Sequence, residues 1–255
     1  MNSFIALFKK ETMEFSRTYK FLIIITVFLI LSILSPLTAK FMPEILTEFL
    51  PKEVAESFPD PTALDSWGQF FKNFSQIGLF VVALLFAGTL IHERIEGTLI
   101  ILLTKRLRRS TVVLAKTIFA MVIWSIMYWL AFAVTYFYTW YYWKADHVEH
   151  LVLAVGNLWL FGLLLISVIL LGNVLFKSIY ANLLWTAFFV VVWFVVSIFP
   201  KAADFNILRL ASDSNNLLQG LVETNEYTWI YTITIGLIVL MVFSAVRVFN
   251  KRAIS

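Results

Sequence analysis

The sequence predicts an all-α integral membrane protein with six transmembrane helices, an N-terminal interfacial amphipathic helix, and a short helix parallel to the membrane between the second and third spans. Of its 255 residues, 60% are hydrophobic and 14% charged, whereas soluble domains hold about 45–50% apolar and about 25% charged residues. Mean hydropathy is +0.85. Six apolar runs also reach the roughly 20 residues that a helix rising 1.5 Å per residue needs to cross the hydrocarbon.

The first twenty residues read as an amphipathic helix. Phe4, Leu7, Phe8, Phe15 and Tyr19 share one face, and Lys9, Lys10, Glu14 and Arg17 lie elsewhere. Such a helix lies in the interface, with its rings among acyl chains and its lysines at anionic headgroups; a plain anchor and a contact with a partner are both compatible with it. A secretory signal would begin its apolar run within a few residues of the start, so the first span is expected to be retained. The spans are expected at 21–39, 73–91, 111–138, 151–176, 179–199 and 229–248, within a single domain covering 1–255. The loop 40–72 contains Pro43, Pro51, Pro59 and Pro61 and a short amphipathic helix over 44–50. In 200–228, the runs 205–211 and 216–222 fit short helices capping the exit, re-entrant helices dipping back into the membrane, or a solvated loop. Tyr136, Phe137, Tyr138, Trp140, Tyr141, Tyr142 and Trp143 fall where the third span should leave the bilayer, the level that amphipathic rings prefer.

Charge sets the expected orientation. With six spans both termini share a side, and the termini, the loop before the third span and the turn between the fourth and fifth hold 14 of the 20 basic residues. Of the 16 acidic residues, 12 lie on the other side. The positive-inside rule then places both termini in the cytoplasm.

Much chemistry is excluded. No cysteine is present, which removes disulfides and thiolate metal sites. None of the nine glycines opens a phosphate-binding P-loop, and no H-E-x-x-H zinc helix occurs. His147-Val-Glu-His150 has too few ligands for a metal site, so no metal and no catalytic residue is expected. No ionisable residue sits near the middle of a span, which argues against ion-coupled transport. Asn157, Asn173 and Asn182 are expected to join helices by hydrogen bonds, and Gly78, Ala83, Ala87, Gly88, Gly162 and Gly172 to permit close helix approach.

The most informative stretch is 93–109. Glu93 and Glu96 precede Gly97 and Thr98; Leu99, Leu102 and Leu103 follow on one side, then Thr104, Lys105, Arg106, Arg108 and Arg109, with Lys116 at the start of the third span. A plain basic loop at anionic lipid is the simpler reading of that composition. The order of residues resembles the permease subunits of ABC-2-type exporters, in which a Glu-x-x-x-Gly-Thr-Leu segment opens a cytoplasmic coupling region. This chain departs from the pattern at Arg106, where many members have proline, at Arg108, where they have serine, and at Ala115, where they often have glycine. The N-terminal amphipathic helix is a second point of likeness. The stretch 61–78 is similar to a Gram-positive branch of the family that includes exporters of phenol-soluble modulin toxins.

The resemblance implies a coupling helix within 92–110 that docks a separate ATPase through Glu93, Glu96, Gly97, Thr98, Leu99, Leu102, Leu103, Thr104, Lys105, Arg106, Arg109 and Lys116. This chain would then be no enzyme, with no cofactor of its own, and ATP and Mg would be held by the partner. It further implies two ATPases, a second permease (a homodimer or a related subunit), a bacterial plasma membrane location, and amphipathic peptides or other hydrophobic cargo, with no role for nucleic acid. A non-transporting scaffold or sensor, whose basic segment binds a regulatory protein or anionic lipid, is the alternative.

Overall fold

The computed structural model describes residues 3–49, 59–98, 108–144, 146, 148–199, 202, 205–222 and 224–251. Every regular element among them is helical. The chain runs through α1 (Ser3–Arg17), α2 (Lys20–Lys40), α3 (Met42–Phe49) and α4 (Ala63–Asn73), then a π-helical turn (Phe74–Gly78), α5 (Leu79–Phe86) and α6 (Thr89–Ile95). It continues with α7 (Arg109–Tyr142), α8 (Leu151–Leu175), α9 (Ile179–Ser197), the short α10 (Arg209–Ser212) and α11 (Ser214–Leu218), and α12 (Tyr227–Lys251). Six of these helical stretches are long and apolar enough to cross a membrane, and α4 to α6 together form the second.

The fourth span is the central pillar. In its most apolar window 78% of residues are buried, against 11% in the fifth span and 17% in the sixth. Between apolar helices in lipid, close packing and hydrogen bonds hold a bundle together more than the hydrophobic effect does. The seam between α7 and α8 follows that rule. Trp124 donates from Nε1 to the Trp159 carbonyl at 3.0 Å, Trp159 to Ser125 at 2.9 Å, and Tyr128 to the Val155 carbonyl at 3.1 Å. Gly162 admits the Trp124 indole, which would overlap any Cβ built there. In α2, Pro36 has no N–H for the carbonyl of Ser32 one turn back, and Thr135 of α7 donates to that carbonyl at 3.0 Å.

The second span starts ten residues earlier than expected. Thr62 donates its N–H to Asp65 at 2.9 Å, and the N–H of Ala63 goes to Asp146 at 2.9 Å, which caps α4. Asp65, Gln69 and Lys72 lower the hydropathy of this stretch, yet Trp67, Phe70 and Phe71 face the core. At Gly78 the atoms nearest to a built Cβ belong to Phe74 of its own π turn, the first at 2.9 Å. The short helix expected over 44–50 is α3. At the same end of the bundle, α10 and α11, within the segment joining spans five and six, pack against α8, with Leu210, Leu217 and Leu218 buried. Each of the two runs thus overlaps a short helix, and the segment is not a plain loop.

The second span breaks at Ala87 and Gly88 before α6. A helix can break in a bilayer only where neighbours satisfy the freed carbonyls. Here Asn173 donates to Phe86 at 2.9 Å and Asn182 to Ala87 at 2.7 Å, while Thr89 donates to Phe86 at 2.9 Å. The expected bonding role of Asn173 and Asn182 is met at this break, and Tyr231 of the sixth span bonds Asn157 at 2.6 Å.

Candidate functional site: a buried ion cluster at the exit of the second span

Three elements converge at the end of the bundle that carries both termini. They are α1, the short α6 and the first turns of α7. Periodicity places Leu7, Glu11 and Phe15 on one face of α1, and all three are buried. Phe15 stacks on Phe86 at 5.8 Å and meets Phe119 edge-on at 5.5 Å, where Phe8 also packs at 5.5 Å. The rings of Phe8 and Phe15 therefore lie against spans two and three, and not among acyl chains as expected, while Tyr19, expected on the same face, is exposed. Membrane insertion and protein packing both select one apolar face, so periodicity alone does not separate them.

Charge lies beneath these rings. Glu93 on α6 is 3% exposed, Lys116 on α7 2% and Glu11 on α1 5%. The Lys116 ammonium stands 2.8 Å from Glu11 and 3.1 Å from Glu93. Lys10 bonds Glu93 and reaches Glu14 at 3.0 Å and Glu11 at 3.5 Å. Glu93 and Lys116 were expected on a docking surface; they are instead interior, turned toward α1. Lys10, expected at headgroups, also belongs to the cluster. Lys9 is exposed. The oxygens of Glu11, Glu14 and Glu93 lie within 4.8 Å of one another, but the ammonium groups of Lys10 and Lys116 already sit among them and offset two of the three charges, which suits ion pairing more than a metal.

Burial disfavours the Lys10 ammonium, but its bonds to Glu93 and Glu14 and the nearby Glu11 charge outweigh that and hold its pKa above the usual lysine value. Burial likewise raises the Glu14 carboxyl, and the Lys10 bond overcomes it, leaving the group below its ordinary range. A lowered folded-state pKa contributes stability above the unfolded value, and that stability is lost as pH falls through the folded one. Glu14→Gln is therefore expected to flatten the acid limb of stability below about pH 4.5, read as the inactivation half-life in detergent between pH 6 and pH 3. An unchanged acid limb would exclude the Lys10–Glu14 contribution.

The other side of α6 is tied to the central pillar. Arg94 donates to the carbonyls of Phe176 at 3.1 Å and Asn173 at 3.4 Å, placing a cation at the C-terminal end of α8. α6 thus sits between a charge pair on α1 and α7 and a cap on α8, and the break at Gly88 separates it from the rest of its span. It ends at Gly97, whose φ of +71° favours glycine, and Thr98 returns its hydroxyl to the Glu93 carbonyl at 3.3 Å. Glu96 is exposed beside this turn. Leu99, Leu102, Leu103, Thr104, Lys105 and Arg106 lie outside the described residues, as does His147 of the outer pair. Arg109 reaches the Asn250 carbonyl at 3.4 Å, which brings the start of α7 to the end of the sixth span.

Of the docking residues expected from the sequence, the structure brings Glu93 and Lys116 together with Glu11, Lys10 and Leu7 of the N-terminal helix. Glu11 and Arg94 were missed. Glu11 carried a signal, since it falls three to four residues from Leu7, Phe8 and Phe15 on the apolar face. Arg94 carried none, because the Phe176 and Asn173 groups to which it donates are backbone carbonyls.

No protein-family model matches the chain. Over 251 residues it is 22% identical to a protein of Bacillus subtilis (strain 168) described as "uncharacterized transmembrane protein YxlG", with 97% of each chain covered. The likeness and the six apolar helices both describe a multi-pass membrane protein.

Proposed function

We propose that the chain is the transmembrane permease subunit of an ATP-driven exporter of the ABC-2 type, forming half of a translocation path and docking a separate ATPase. The observation that carries this reading is the convergence at α6. The residues that resemble the coupling motif (Glu93, Gly97, Thr98 and Lys116) meet the N-terminal helix at the point where the second span exits. There the span is broken, so a push on the segment after Gly97 moves α6 against α1 and the end of α8 before it reaches the core. Exposed basic residues at this end, among them Lys9, Arg17, Arg108 and Lys177, support cytoplasmic termini in a bacterial plasma membrane.

Six spans with one central helix leave the fifth and sixth spans mostly uncovered, which suits pairing with a second permease, identical or related. The aromatic and aliphatic walls and the absence of charge at mid-depth fit amphipathic peptides or other hydrophobic cargo better than ions. ATP and Mg belong to the partner.

The test is extraction in mild detergent, identification of what binds, and an ATPase assay on the complex. Gly97→Val strains a left-handed turn without meeting a neighbour among the described residues, none of which has an atom within 4 Å of a Cβ built there. It should lower transport per ATP about tenfold, within the range of coupling free energies of ~1–3 kcal/mol, with unchanged membrane levels. Wild-type export by this variant would remove the turn from the coupling route.

A further inference from the structure

A second site lies at the opposite end of the bundle. A cavity of about 300 Å³ opens between the start of α4 and the facing ends of α7 and α8. Its walls include Trp67, Tyr136, Trp140 and Trp143, and Lys144 and Asp146 stand among them.

The walls are fixed from outside the cavity. Trp143 donates from Nε1 to the Pro61 carbonyl at 2.7 Å, Thr139 and Ser66 share a buried hydrogen bond of 2.7 Å, and Asp146 receives the Ala63 N–H at 2.9 Å. Trp67 and Tyr136 lie 6.4 Å apart between ring centroids. Trp140 is 51% exposed, and the Lys144 ammonium sits 5.6 Å from its ring. A belt of rings at the membrane surface needs neither a held concavity nor two opposite charges inside one. Pockets that bind small molecules have this form, an apolar wall with a few placed polar groups.

We propose that this cavity binds the headgroup of a zwitterionic aminophospholipid. Ring faces attract a cation within about 6 Å of the centroid, and the Asp146 carboxylate adds charge of the same preference. Lys144 meets the phosphate. An anionic lipid would satisfy Lys144 and be repelled by Asp146, and a simple amine would leave Lys144 unmatched. The position fits as well, because α7 ends at Tyr142 and α8 starts at Leu151, and spanning helices end at headgroup depth.

The test is native mass spectrometry of the purified full-length protein with equimolar phosphatidylethanolamine and phosphatidylglycerol of identical acyl chains. Wild type should retain phosphatidylethanolamine at least about threefold better. Asp146→Asn keeps an acceptor for the Ala63 N–H while removing the charge, and Trp140→Leu keeps an apolar wall without the ring. Each should bring the two lipids to parity, whereas Lys144→Gln should weaken retention of both. Equal retention by wild type, or an undiminished preference in both Asp146→Asn and Trp140→Leu, would overturn the assignment. Retention indifferent to headgroup but displaced by a cationic amphipathic peptide would also overturn it, in favour of a cargo site.

Discussion

Lys116→Met is expected to destabilise the protein by about 3–5 kcal/mol, the cost of removing one partner from a buried ion pair. Methionine matches the lysine stem as far as Cε, so most packing is kept and the loss is largely electrostatic. Three carboxylates, Glu11, Glu14 and Glu93, would then share the single ammonium of Lys10. Heat unfolding of membrane proteins is usually irreversible, so the readout is the inactivation half-life at fixed temperature in detergent. The double variant Glu11→Gln/Lys116→Met restores the net charge of the cluster and should recover most of the loss, as coupled sites do. A cost below about 1 kcal/mol for the single variant, the value for exposed pairs, would show that water reaches the cluster.

Gly172→Leu is expected to separate the fourth and fifth spans. A Cβ at this position overlaps the Asn182 carboxamide and stands 2.9 Å from Trp185 Cδ1. Asn182 is the donor to the Ala87 carbonyl at 2.7 Å, and Trp185 bonds the Val168 carbonyl at 3.3 Å. Overpacking costs about 1–3 kcal/mol, and leaving a buried carbonyl unpaired about 1–3 kcal/mol more. Gly156 of the same helix has no atom within 4 Å of a built Cβ, so Gly156→Leu should be tolerated. Equal stability of the two variants, measured by fluorescence-detected gel filtration after heating, would contradict the close approach at Gly172.

The same residues show what sequence discloses. Helical class and the six spans follow from length and apolar runs, because a bilayer leaves a spanning chain few other options. The seam at Gly172 and Asn182 was legible in kind, as small and polar residues at depth have few uses besides helix contacts. The start of α4 was not, since Asp65, Gln69 and Lys72 depress the hydropathy of a helix whose other face, with Trp67 and Phe70, is buried. The ion cluster was half legible. Glu93 and Lys116 were named from motif order and Lys10 and Glu14 from the N-terminal helix, but Glu11 was not, and nothing local distinguishes an exposed from an interior charged residue beside a basic loop. Only the packing of α1 over them decides it.

That packing gives each proposed coupling residue a distinct task. Glu93 and Lys116 position α6 through α1, Arg94 ties it to the central span, and Gly97 sets the direction in which the chain leaves. Under the proposed export function, direct contact with an ATPase would fall to exposed groups such as Glu96, Lys9 and Arg108.

The measurement that tests the proposed export function most directly is mass spectrometry of the protein purified from its native membrane under gentle extraction, paired with ATP turnover of the purified complex. Recovery of a P-loop ATPase, with binding weakened by charge reversal at Glu96 and coupling lost in Gly97→Val, is the expected result. Recovery of the permease with no ATPase, and no ATP turnover, would contradict it and leave a membrane scaffold or sensor built on the same bundle.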